Sequence, residues 1–179
     1  MLFETRSTEL IDDFATEVTM SRLKALGLTL GLLLSVSAFS DDALPKCMNG
    51  KKNLPINNAQ IYKWKRSTAN QFLARGHVYG RLTKIYPTKN GHSHFQIEFD
   101  DVADTLEIVY SLDFGKLPKL AKGMEIEACG DYITSTKATS QYPPSPDGGI
   151  LHWIHRSDSA KHASGYLAID GRVYGGATR

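Results

Sequence analysis

His94-Phe95-Gln96-Ile97-Glu98-Phe99 alternates without a break between polar and apolar side chains. A strand points successive side chains to opposite faces, so this period of two marks a half-buried β-strand. Just before it lies Asn90-Gly91, a dipeptide at home in the φ > 0 positions of a tight hairpin turn. Further upstream, His77 to Tyr86 is rich in β-formers and stops at Pro87. Downstream, Leu106, Ile108 and Tyr110 make a third strand. Met124, Ile126 and Ala128 alternate with Glu125, Glu127 and Cys129 in a fourth, which turns Cys129 away from the core. A turn-rich stretch with Pro143, Pro144, Pro146 and Gly148 leads to a fifth, expected from Ile150 to about His155. The tail from Tyr166 to Tyr174 has room for one more short strand.

A helix is expected upstream, from Asn58 to about Ala74, with Asn57 or Asn58 as its cap and Gly76 at its end. Ile61, Trp64, Thr68 and Phe72 share its buried face. Lys63, Lys65, Arg66 and Arg75 lie on other faces, first as a solvated surface and second as a contact for an anionic partner. One N-terminal helix and five unevenly spaced strands predict a mainly β, α+β domain. Its expected form is a small OB-like five-stranded barrel or half-barrel, with a generic α+β roll as the alternative. The globular domain is expected over residues 58–179, behind a polar leader at 41–57.

Residues 20–40 have the three-part layout of a signal peptide. Arg22 and Lys24 precede an apolar run from Leu26 to Val36, followed by the small residues Ser37, Ala38 and Ser40. Cleavage after Ala38 or Ser40 fits the small-x-small rule. The run is too short for a spanning helix, which needs about 20 apolar residues. A retained N-terminal anchor is the alternative, and no stable membrane insertion is expected after cleavage. Residues 1–19 carry Glu4, Glu9, Asp12, Asp13 and Glu17 against Arg6, the wrong sign for the start of a signal peptide. Met20 is therefore the expected start and 1–19 an artefactual extension. The predicted location is periplasmic or secreted.

The chain has 21 Lys and Arg against 19 Asp and Glu; without residues 1–40 the balance is 18 against 14. This mild excess permits nucleic acid or another anionic polymer as partner without demanding one. Cys47 and Cys129 are the only two cysteines. An even count in an exported chain points to one disulfide, and the absence of C-x-x-C argues against the alternatives of a redox pair or free thiols.

Chemistry-bearing residues crowd into Gly91-His92-Ser93-His94-Phe95 and into Gly148-Gly149-Ile150-Leu151-His152-Trp153-Ile154-His155, with His162 and Gly165-Tyr166 beyond. Ser111-Leu112-Asp113-Phe114 lies between them. With Gly130-Asp131-Tyr132 and the closing Gly171, Arg172 and Tyr174, this set resembles the bacterial domain-of-unknown-function family 3465 over residues 76 to 175. Gly148 to His155 is the specific part. The departures are Ser111 in place of Asn, Ile154 in place of Thr, His94 in place of a basic residue, and Asp158 displaced by one position. The resemblance implies a fold and a site rather than a reaction.

The site expected from these residues is His92, Asp113, His155 and His162, acting in a hydrolase on phosphodiesters or nucleic acid. His152 and His155 fall on opposite faces if the strand continues through both. A helical turn after His155 would instead bring His155, Asp158 and His162 onto one face. Three ligands, His92, His155 and His162, would then suit a divalent ion such as zinc, with an open position to activate water. Without a metal, His92 or His155 is the candidate general base and Asp113 its orienter. Trp153 reads as core. Tyr79, Tyr86, Tyr110 and Tyr142 read as packing before they read as a stacking surface. Two non-catalytic readings stand beside the hydrolase: an OB-like binding module for oligonucleotide, oligosaccharide or peptide, and a structural envelope factor. No nucleophile elbow, phosphate loop, H-E-x-x-H or dinucleotide fingerprint is present, so those enzyme classes have no support.

Overall fold

The computed structural model describes residues 43–159 and 162–176. The expected signal peptide and the 1–19 extension lie outside them. Five strands close a barrel: β3 (Leu73–Ile85), β4 (His92–Glu98), β5 (Thr105–Ser111), β6 (Glu125–Thr134) and β7 (Gly149–His152). Their order is β3-β4-β5-β7-β6, and β6 pairs back with β3. All neighbours are antiparallel except β5 and β7. This closed mixed barrel has the OB-like character that the strand pattern predicted. A small hairpin of β1 (Met48–Asn49) and β2 (Lys52–Asn53) precedes it. β8 (Tyr166–Ile169) and β9 (Arg172–Tyr174) follow.

The alternation seen in the sequence fills the barrel. Phe95, Ile97, Leu106, Ile108, Tyr110, Ile126, Ala128, Tyr132 and Leu151 are all buried in one cluster. Asn90 and Gly91 both take φ > 0, as the tight turn requires. Asp170-Gly171 repeats the device between β8 and β9, so the tail is a hairpin rather than one strand.

The helix α1 (Asn58–Ser67) is shorter than expected. Asn57 caps it through Gln60 N. At its other end the hydroxyls of Ser67 and Thr68 bond back to the carbonyls of Lys63 and Trp64, and Thr68 turns extended. Leu73 then enters β3 opposite Ile133. Pairing with β6 thus claims residues whose spacing alone was compatible with helix. Asn58 reaches Asp101 and Lys65 reaches Asp104 and the Thr105 carbonyl. Helix α1 therefore covers the barrel end at which β5 and β7 begin.

The disulfide Cys47–Cys129 is present, with Cα atoms 5.4 Å apart. It sits with Tyr166 and Ala168 in a second buried cluster outside the barrel. No helix among the described residues is long and apolar enough to cross a membrane.

Candidate functional site at the open barrel end

Five imidazoles gather at the end opposite α1, where β4 starts and β5 and β7 stop. The fifth barrel strand ends at His152, short of the expected His155. The cause is Trp153, whose φ of 49° lies in the left-handed region that a bulky side chain enters only at a cost. Two glycines make room for the turn. A Cβ on Gly130 would overlap the His152 carbonyl oxygen, and one on Gly165 would overlap the Trp153 carbonyl oxygen. His152 and His155 consequently do not alternate across a strand. Among the described residues of this segment none is helical, and Asp158 pairs with Arg156.

The rings form a row. His92 lies 6.4 Å from His94 and 5.3 Å from His152, centroid to centroid. His152 lies 4.5 Å from Trp153, and Trp153 stacks at 4.5 Å and 11° on His162. His155 stacks at 3.6 Å on Phe114, in the 3₁₀ turn Leu112–Phe114.

Backbone and carboxylate partners fix which nitrogen is free. The Nδ1–H of His92 donates to the Asn90 carbonyl at 2.8 Å, and that of His155 to the Arg156 carbonyl at 2.7 Å. His94 Nδ1 faces Glu107 at 2.8 Å. Each arrangement leaves Nε2 with a lone pair for the site. His162 Nδ1 lies 3.4 Å from Asp131, whose other oxygen pairs with Arg75. His152 differs. Burial first, then the neighbouring imidazoles of His92, His155 and His94, push its pKa down from 6.5 to about 4, against a smaller pull from Asp131. Its Nε2 is buried with no hydrogen-bond partner. It is a neutral wall of the site at ordinary pH.

Of the expected residues, His92, His155 and His162 all line this end, but each takes a different neighbour. Among the described residues no three His, Cys, Asp or Glu side chains are grouped so as to hold a metal ion. The expected ligand set His92, His155 and His162 is thus not assembled. Asp113 is exposed and bonds Ser111. At this end the carboxylates that meet imidazoles are Glu107, with His94, and Asp131, with His162. Glu107 was hidden because its meeting with His94 depends on strand register, which spacing does not show. Asp131 stood in the Gly-acidic-Tyr segment without an indicated role.

A closed OB-type barrel carrying a cluster of imidazoles at one end is the class that fold and site define. Residues 55–175 match the model of a protein family of unknown function, DUF3465. The chain belongs to that family, as its Gly148–His155 segment suggested. No curated protein and no solved structure matches it.

Proposed function

We propose that the protein is a phosphodiester hydrolase that works by imidazole acid–base chemistry at this barrel end. One observation carries the reading. His92 and His94 share one face of β4 with their rings 6.4 Å apart, their Nδ1 atoms are held by the Asn90 carbonyl and Glu107, and His92 lies 5.3 Å from a neutral His152. Two positioned imidazoles supply what diester hydrolysis needs. One takes a proton from the attacking water as its oxygen bonds phosphorus. The other, protonated, gives its proton to the leaving oxygen as the old P–O bond breaks. Glu107 orients His94 in the role first assigned to Asp113. The disulfide supports a periplasmic or secreted location for this activity.

Replacing His92 or His94 by Ala should lower kcat/KM on oligonucleotides or a simple phosphodiester by about 10²–10⁴-fold with Tm unchanged. Full activity in both variants, at native Tm, sinks the proposal. Binding without turnover is the second reading, favoured by the stacked pairs Trp153–His162 and Phe114–His155. It is the outcome if salt-sensitive affinity for an anionic polymer survives His92→Ala and no variant alters a reaction rate.

A further inference from the structure

Phe114 is a large apolar side chain left 37% exposed, with Leu112 beside it at 36%. Exposure of this kind is common on mobile loops, yet this turn is fastened at three points. The Leu112 N–H donates to the Gly91 carbonyl, next to His92. The buried Tyr110 hydroxyl donates to the Phe114 carbonyl at 3.0 Å. Ser111 caps the turn through Asp113 N. One face of the Phe114 ring is backed by His155 at 3.6 Å and 13°, and His155 is close enough to His152 to lower its pKa. A rigid aromatic ring, backed on one side and open to solvent, thus stands at the edge of the imidazole cluster. Exposed Lys116 lies two positions beyond it, and exposed Lys89 lies in the β3–β4 turn, whose Gly91 carbonyl accepts from Leu112 N.

We propose that Phe114 is a stacking platform for an unpaired nucleobase, so that the substrate class of the site is single-stranded nucleic acid. Every base has a flat π-face, and aromatic platforms bind single strands through it without reading sequence. In a duplex that face is covered by neighbouring pairs. Lys89 and Lys116 supply positive charge for the strand's phosphates. The inference rests on the hydrolase reading, and it names what that hydrolase cuts.

The test measures anisotropy of labelled single strands on the full chain, with an abasic strand and a duplex of equal length beside them. DNA and RNA arms separate the two sugar types. Base-bearing strands should bind about tenfold more tightly than either control. Phe114→Ala should erase that preference, and Phe114→Trp should keep it. Equal binding of abasic and base-bearing strands, or an unchanged preference in Phe114→Ala, overturns the platform. Cleavage assays on His92→Ala separate the two proposals. Base-dependent binding with no His-dependent cleavage removes the hydrolase and leaves the platform. His-dependent cleavage of abasic and base-bearing strands alike removes the platform and leaves the hydrolase.

Discussion

Trp153 is where local strain and the site meet. Its left-handed backbone costs about 1–2 kcal/mol for a side-chain-bearing residue and nothing comparable for glycine. Trp153→Gly should therefore unfold at a higher temperature than Trp153→Ala, against the usual order, by about 1 kcal/mol. Equal stability of the two variants would show that the conformation carries no strain. Gly130 is the matching position in β6. Its Cβ would overlap His152 O and Ile154 Cγ2, so Gly130→Ala should cost about 1–3 kcal/mol and shift the site imidazoles in NMR spectra. At this scale the sequence was legible for residue type and weak for partners. His92, His155 and His162 could be picked out by crowding. Their neighbours could not, because a left-handed tryptophan breaks the two-residue period on which the face assignment of His152 and His155 depended.

At the scale of elements, the five barrel strands were legible because hydrophobic alternation and turn dipeptides agreed. Element ends were less so. Thr68 and Leu73 carry no helix-breaking signal of their own, and only pairing with β6 moves the segment into β3. Cys129 was expected to face away from the barrel core, and it does, because the period of two holds along the start of β6. The disulfide it forms spans 82 positions. Such a loop contributes about 4 kcal/mol in the chain-entropy account. Cys47→Ser with Cys129→Ser should lower stability by about that amount in denaturant titrations. Cys47 and Cys129 are 1% and 0% exposed, so reductant should open the bridge of the native protein only at the rate of unfolding. Reduction faster than unfolding would contradict that burial.

For the molecule as a whole, two groups give stability an acid slope. His152 is held neutral, its pKa lowered from 6.5 to about 4 by burial and imidazole neighbours. Its unfolded form takes up a proton as pH falls below about 6.5 and its folded form only near 4, so stability is lost across that window. The loss is at most about 3 kcal/mol. Glu127 acts lower down. Burial alone would raise its carboxyl, but hydrogen bonds from His77 and Tyr166, with the charge of His77, leave it below the usual 4.5. Its contribution is present above 4.5 and lost as pH falls through its folded value. Tm should therefore fall in two stages on acidification, and His152→Gln should flatten the upper one. A Tm independent of pH between 6.5 and 4 in the parent chain would contradict the neutral state of His152.

Along one edge, β6 changes partner. Residues 126–129 pair with β8 and residues 131–134 with β7, and the change falls at Gly130 beside the imidazole row. On a ribosome or a translocon this sets an order of events. Residues 73–152 can meet to close the barrel before the last strands emerge, while the seam beside Gly130 stays open. Tyr166 to Ile169 must arrive to seal it and, with Gly165, to seat the Trp153 turn. The imidazole row is thus completed only by its last member, and a chain interrupted near residue 160 would keep its barrel with His92, His94 and Glu107 while lacking His162 and the glycine that seats the Trp153 turn.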